Sequence, residues 1–182
     1  GRLVYNGNTF TPISSLSDAI RKQTIVINGV SKTYAMTGWR VGFAVGEPEI
    51  ISGMAKIISQ TTSNLTSVSQ YAAIEALTGD QSSIEEMRKA FEERLNTIYP
   101  LLAEVPGFEV IKPQGAFYLF PNVKKAMEIK GYTDVNDFTN AILEEAEVAL
   151  VTGAGFGAPE NIRLSYATDL DILKEAVRRI KA

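Results

Sequence analysis

The sequence predicts an α/β protein in two parts, and two observations support this. Residues 24–30 and 41–46 are β-branched and nearly continuously apolar, which is typical of strands buried on both faces. Beyond residue 106, short apolar segments alternate with helical patterns, which is typical of an α+β domain. We therefore predict one domain over residues 1–79 and a smaller α+β domain over residues 80–182, with the boundary near the start of a long helix.

Helices are expected around the two strands of the first domain and at the start of the second. A short polar helix is predicted over residues 18–22. Pro48 opens a second helix, and a third over residues 68–77 ends at Gly79. Ser82 or Ser83 caps the long helix to Leu102, with a glutamate three residues on as in a capping box. The second helix carries apolar residues at helical spacing, which are Ile50, Ile51, Met54, Ile57 and Ile58.

The second domain is predicted from turn and capping residues. Two strands, 108–111 and 115–120, are joined by a Lys-Pro-Gln-Gly turn. Asp134 caps one helix, and Asp169 or Asp171 caps the last. Residues 148–151 and 161–166 are predicted as strands on either side of a glycine-rich segment, 153–157, which we interpret as a flexible loop and not as a nucleotide-binding motif.

Composition excludes several kinds of site. The 182 residues are 45% hydrophobic and 21% charged, with a net charge of -3, so neither nucleic acid nor a membrane is expected as a partner. No apolar stretch approaches the roughly 20 residues of a membrane helix, and the cytoplasm is the expected location. The chain has no cysteine and no histidine, and no metal site is expected. Acid–base chemistry must therefore use Lys, Tyr, Asp or Glu, or a cofactor.

The polar segment between the two predicted strands is the strongest candidate for chemistry. Lys32 offers an amine that can form an imine with an aldehyde, especially where desolvation lowers its pKa. Ser31 offers a hydroxyl and Arg40 a fixed cation, both suited to a phosphate. Each residue alone is more simply a solvated loop residue or a surface ion-pair partner. Together they match what pyridoxal phosphate (PLP) requires.

Residues 31–43, which read SKTYAMTGWRVGF, resemble the cofactor-lysine segment of class I and II aminotransferases of the aspartate aminotransferase superfamily. The resemblance extends over nearly the whole chain through supporting segments in the expected order, at residues 64–70, 113–118, 153–157 and 161–167. It implies the C-terminal part of the PLP-dependent transferase large domain, followed by a smaller C-terminal domain. The lysine segment is highly specific for this family.

The resemblance also implies roles for individual residues. Lys32 corresponds to the lysine that binds PLP as a Schiff base and moves the proton between the substrate and the cofactor. Ser31 and Arg40 correspond to phosphate-binding positions, and Arg163 to the arginine that grips the substrate α-carboxylate in a bidentate pair. The implied reaction transfers an amino group from an amino acid to a 2-oxo acid, and the implied assembly is a homodimer.

The same resemblance implies that much of the site is missing. Relatives build it largely from the half that precedes the lysine, including the aspartate that pairs with the pyridine nitrogen. We therefore expect a fragment that is inactive by itself, with an exposed sheet edge and an uncovered helix face that favour self-association. Two alternatives stay open: another PLP-dependent lyase or synthase on the same fold, and a non-catalytic assembly domain. The amino donor is not identified by the sequence.

Overall fold

The computed structural model describes residues 1–182, and these form two compact units. Unit 1 consists of Gly1–Arg2 and Thr9–Met87, and unit 2 of Leu3–Asn8 and Arg88–Ala182. This division differs from the predicted boundary after residue 79 in two ways. It falls inside the long helix, between Met87 and Arg88, and it assigns Leu3–Asn8 to the second unit. The two-domain boundary after residue 79 stays a prediction.

Unit 1 is a two-stranded antiparallel sheet with helices. In chain order it contains α1 (Asp18–Lys22), β1 (Val26–Gly29), β2 (Gly42–Val45), α2 (Pro48–Thr61) and α3 (Ser67–Thr78). Val26 lies opposite Val45, and Gly29 opposite Gly42. The predicted helices form close to their expected bounds, because their start and stop signals are local: Ser17 caps α1, Pro48 begins α2 and Gly79 ends α3.

The prediction that both strands are buried on both faces is wrong for this chain by itself. Ile27 is 79% exposed, and Phe43 and Val45 are exposed as well. The apolar stripe of α2 is also uncovered, since Ile57 is 66% exposed and the helix has no buried residue. A two-stranded sheet is only marginally stable by itself and needs further strands or helices packed against it. The exposed apolar surface agrees with the expectation of an incomplete domain, and self-association stays a prediction.

Unit 2 is a three-stranded antiparallel sheet with helices. The long helix α4 (Ser82–Ala103) enters it, followed by β3 (Tyr118–Leu119), α5 (Lys124–Lys130), α6 (Val135–Ala146), β4 (Val151–Thr152), β5 (Ile162–Ser165) and α7 (Leu170–Lys181). The sheet order is β3-β5-β4. The predicted caps are present: the carboxylates of Asp134 and Asp169 accept hydrogen bonds from the amides of Asn136 and Asp171. Helix α5 was not predicted.

One face of α4 supplies much of the core of unit 2. Phe91, Leu95, Ile98 and Leu102 recur at helical spacing and are all buried. At the start of this helix the Asp80 carboxylate accepts hydrogen bonds from the amide and hydroxyl of Ser82, so the capping side chain lies two or three residues earlier than the predicted Ser82 or Ser83.

The predicted hairpin of strands 108–111 and 115–120 forms only in part. Glu109 makes an isolated antiparallel bridge with Asn122, and β3 covers just Tyr118–Leu119. This strand pairs with β5, with Tyr118 opposite Ser165, and not with residues 108–111. The predicted strand 148–151 likewise forms only from Val151 onward.

None of the helices is both long enough and apolar enough to cross a membrane.

Candidate functional site

The loop of residues 31–40 is held at both ends by buried valines. Val30 follows β1 and Val41 precedes β2, and the Val30 amide donates to the Val41 carbonyl at 3.3 Å. Val30 is fully buried and Val41 nearly so, in a cluster with Ala73 of α3. The loop therefore begins and ends at a fixed point while its middle is displayed at the surface.

Tyr34 ties the middle of this loop to the end of α3. Its ring packs on the valine cluster, and its hydroxyl donates to Oε1 of Gln81 at 3.3 Å. The Gln81 amide nitrogen donates in turn to the carbonyls of Ala76 at 3.0 Å and Gly79 at 2.8 Å. These bonds satisfy carbonyl groups at the C-terminal end of the helix. Tyr34 therefore anchors the loop of residues 31–40.

Two residues of the loop have a left-handed backbone without being glycine. Ala35 has φ of 53° and Arg40 has φ of 54°. This conformation brings Cβ too close to the neighbouring carbonyl oxygen and costs about 1–2 kcal/mol per residue. Such outliers cluster at functional sites, where the surrounding structure imposes them.

Gly29 permits the strands to approach each other beside the loop. A Cβ atom at this position would lie 2.8 Å from the carbonyl oxygen of Val41, a backbone atom of the residue that directly precedes β2. Only glycine therefore fits here without displacing β2 and the loop that precedes it.

A cavity of about 440 Å³ opens beside Lys32. Ser31, Lys32, Thr33 and Arg40 line it together with backbone of Gly29 and Gly42, and no carboxylate does. Neither Lys32 nor Arg40 forms an ion pair; Nη1 of Arg40 donates to the carbonyl of Thr37 at 3.1 Å. The structure thus brings three of the four predicted site residues around one cavity. Two unpaired cations and two hydroxyls suit a phosphate.

The Lys32 side chain is exposed. Unit 1 therefore leaves this amine in contact with water. Any group that shields this amine from water must come from a bound cofactor or from protein outside these residues.

The fourth predicted residue, Arg163, lies on β5 of unit 2. Its guanidinium carbon is 4.6 Å from the ring centre of Tyr118 and 4.7 Å from that of Phe156. The side chain is half-buried and forms no ion pair. A guanidinium donates hydrogen bonds only in its own plane, so rings that cover its faces would leave its donors available to a carboxylate.

Sequence reasoning missed Tyr118 and Phe156. Tyr118 lies opposite Ser165 across the β3–β5 ladder, which makes it a diagonal neighbour of Arg163 on the same face. Phe156 belongs to the glycine-rich segment, which forms a short 3-10 turn over Ala154–Phe156. Tyr118 and Phe156 both lie in segments that resemble the family, and Tyr118 also lies in a predicted strand, but nothing indicated that either ring would contact Arg163.

Two buried tyrosines form a second polar cluster in unit 2. The hydroxyls of Tyr5 and Tyr166 both donate to the carbonyl of Ala116, the latter at 3.1 Å, and both side chains are fully buried. Burial raises the pKa of Tyr5 to about 12 and raises the pKa of Tyr166 as well. Both therefore stay neutral at ordinary pH, and their role is to hold the Leu3–Asn8 segment against residues 114–116.

Comparisons with known proteins agree on one family. The family described as aminotransferase class I and II matches residues 1–180. The asparagine–oxo-acid transaminase of Streptococcus mutans is 76% identical over 182 residues, which is 100% of this chain and 46% of that protein. The aspartate aminotransferase of Bacillus subtilis is 56% identical over 180 residues, 99% of this chain and 46% of that protein.

Solved structures give the same result. The aspartate aminotransferase from Rhizobium meliloti superimposes with a TM-score of 0.89 at 37% identity, covering 99% of this chain and 46% of that one. The aromatic aminotransferase from Pyrococcus horikoshii gives 0.90 at 35% identity, with 99% and 48% covered. The chain spans about half the length of the relatives it matches.

Proposed function

The chain belongs to the class I and II aminotransferase family, and we propose that it is the half of such an enzyme that carries the cofactor lysine, Lys32, and the substrate arginine, Arg163. The proposal includes the position of this chain, as one half of the full-length protein. The place of the lysine segment in the family it resembles supports the C-terminal half, and the shares of length covered do not decide between the two.

The cavity beside Lys32 is the observation that carries the proposal. Members of this family depend on PLP, which joins an aldehyde to a phosphate. An amine, two hydroxyls and a guanidinium line the cavity, and no carboxylate is present to repel a phosphate. The donor set therefore fits the cofactor. The same loop contains two left-handed non-glycine residues, Ala35 and Arg40, and such outliers cluster at functional sites.

Each residue has a separate task in this proposal. The Ser31 hydroxyl and the Arg40 guanidinium bind the phosphate, and Lys32 binds the aldehyde carbon through Nζ. When bound, PLP withdraws electrons from the bonds at the substrate α-carbon. When it is not bonded to the aldehyde, the Lys32 amine would remove the α-proton and return it, since it is the one lysine side chain at this cavity and a guanidinium does not act as a base. Arg163 binds the α-carboxylate and so orients the α-carbon.

The proposed substrates are an amino acid and a 2-oxo acid. The Streptococcus mutans relative is named for asparagine and the Bacillus subtilis relative for aspartate. These two amino acids are therefore the donors to assay first. We also propose a homodimer, which rests on the resemblance to this family.

The cofactor proposal is tested by reductive labelling. The full-length protein is mixed with PLP and reduced with borohydride, and the pyridoxyl adduct is located by peptide mass spectrometry. We expect one adduct, on Lys32, and its loss in Lys32→Ala. Lys56→Ala is the matched control, because Lys56 is an exposed lysine of α2 in the same unit. Labelling spread over many lysines, or none on Lys32, would contradict the proposal.

Transamination kinetics test Arg163. Arg163→Ala should lower kcat/KM by about 30-fold or more, since a charged bidentate pair contributes about 2 kcal/mol or more. Arg178→Ala is the control: this arginine pairs with Glu175 on the surface of α7 and should be neutral. If the full-length protein consumed the amino acid without any requirement for a 2-oxo acid, a lyase would replace the transaminase.

A further inference from the structure

We propose that Tyr118 and Phe156 are positioning residues that clamp the Arg163 guanidinium from both faces, so that a carboxylate can reach it only in the guanidinium plane. We call these two residues the aromatic clamp. The inference rests on the proposed role of Arg163 in carboxylate binding.

The distances place both rings in contact with the cation. The guanidinium carbon lies 4.6 Å from the centre of one ring and 4.7 Å from the other, inside the roughly 6 Å range of cation–π attraction. Placed on its two faces as proposed, the rings would exclude water above and below the cation. Its donors all lie in its plane, so the open edge presents the fork that a carboxylate accepts bidentately.

The two rings are supported differently. The Tyr118 ring contacts that of Phe117 at 4.5 Å between centres, and Phe117 stacks on Phe91 at 5.7 Å. Phe91 is buried in the core of unit 2. Tyr118 is therefore the fixed side of the aromatic clamp, connected to the core by successive aromatic contacts.

Phe156 is the other side of the aromatic clamp and belongs to a surface loop. It is 54% exposed and meets the ring of Phe120 edge-on at 6.2 Å. The loop is closed by backbone bonds, with the Gly153 amide donating to the Asn161 carbonyl at 2.7 Å and the Phe156 amide to the Gly153 carbonyl at 2.9 Å. A Cβ atom at Gly153 would overlap backbone oxygens, so the loop geometry requires glycine there. The glycine-rich segment therefore positions one ring.

The aromatic clamp resists the motions that would misalign the fork. An arginine side chain has about 2 kcal/mol of rotamer entropy to lose when it is fixed. Because the rings hold Arg163 before a substrate arrives, part of that loss precedes binding. Removing either ring should weaken carboxylate binding and leave the proton-transfer chemistry at Lys32 unaffected.

Kinetics of the full-length enzyme test this expectation. Phe156→Leu and Tyr118→Leu should each raise KM for the amino acid and for the 2-oxo acid about tenfold, with kcat changed less than twofold. Phe156→Tyr and Tyr118→Phe keep the rings and should stay within twofold of the parent. Tyr99→Leu is the matched control, because the Tyr99 ring makes a cation–π contact with Nζ of Lys112 elsewhere in unit 2. An unchanged KM in both leucine variants would overturn the proposal.

A second background separates positioning from general damage. In Arg163→Lys the planar fork is absent, so Phe156→Leu should raise KM no further. An equal rise in both backgrounds would show that the ring acts independently of Arg163. Since Phe156 lies on an exposed loop, this variant should fold even if Tyr118→Leu does not.

A readout without turnover distinguishes failure of the aromatic clamp from failure of the proposed function. In full-length protein labelled with ¹⁵N-arginine, the Arg163 Nε–Hε resonance is assigned by its loss in Arg163→Lys. Ring shielding should displace its proton shift, and Phe156→Leu should remove most of that displacement. Titration with propionate should give a Kd about tenfold higher in Phe156→Leu. An unshielded resonance, or an unchanged Kd, would refute the aromatic clamp even in an active enzyme.

Discussion

Arg40 combines a phosphate-binding charge with a left-handed backbone, and substitutions can separate the two. Its φ of 54° and ψ of 49° cost about 1–2 kcal/mol for any residue with a Cβ atom. Glycine removes that strain but loses about 0.4–1 kcal/mol through the greater freedom of its unfolded chain. Arg40→Gly should therefore be more stable than Arg40→Ala by about 0.5–1 kcal/mol. Both lose the Arg40–Thr37 hydrogen bond, so that contribution cancels.

Lys56 provides a control in which the stability difference between the glycine and alanine variants should have the opposite sign. It lies in the interior of α2, where glycine is less favourable than alanine by about 0.8–1 kcal/mol. Lys56→Gly should therefore be less stable than Lys56→Ala. The two comparisons should differ by about 1.5 kcal/mol, which exceeds the usual error of such differences.

The assay is urea unfolding of the full-length protein without cofactor, combined with PLP titration of the four variants. Both Arg40 variants should bind PLP more weakly than the parent and to the same extent, because each lacks the guanidinium. If Arg40→Gly were no more stable than Arg40→Ala while the Lys56 pair behaved as expected, the left-handed backbone at Arg40 would not be strained. The backbone geometry at Arg40 would then be no evidence for a functional site.

Three further predictions concern stability. Gly29→Ala should lower the free energy of unfolding in urea by about 1–3 kcal/mol, because its Cβ would lie 2.8 Å from the Val41 carbonyl oxygen. The control Gly53→Ala has open space around it in α2 and should stabilise the protein. Equal effects of the two substitutions would contradict the close approach at Gly29. Burial favours the neutral form of Tyr5 in the folded state and raises its pKa to about 12. The free energy of unfolding should therefore be constant below about pH 10 and fall by about 2 kcal/mol as the pH rises toward about 12. Tyr5→Phe should reduce that fall, and an unchanged profile would refute the assignment. Asp169→Ala removes the cap of α7 and should cost about 1 kcal/mol in thermal unfolding; no loss would mean that the cap is replaced by solvent.

Local signals predicted the helices well. Asp134 and Asp169 cap the helices they were expected to cap, and α3 ends at Gly79. Each of these features depends on residues within one turn of each other. Strand pairing was predicted poorly, because β3 pairs with residues more than 40 positions away and no local pattern identifies that partner.

The same distinction applies to the candidate site. Ser31, Lys32 and Arg40 lie within one ten-residue loop, so their shared cavity follows from the chain itself once the two strands pair. The aromatic environment of Arg163 combines three segments, around residues 118, 156 and 163, and could not be read from any one of them.

The amino-acid order alone determined the chemistry available to this protein: an amine, hydroxyls and guanidinium groups, with no thiol or imidazole. It also determined the family, through a lysine segment whose residues are consecutive. Tertiary structure decided which cations stay unpaired and which rings cover Arg163. It also decided that the apolar strands and α2 remain exposed in this half. Those properties depend on packing between distant segments, and burial is a property of the assembled structure and not of any segment by itself.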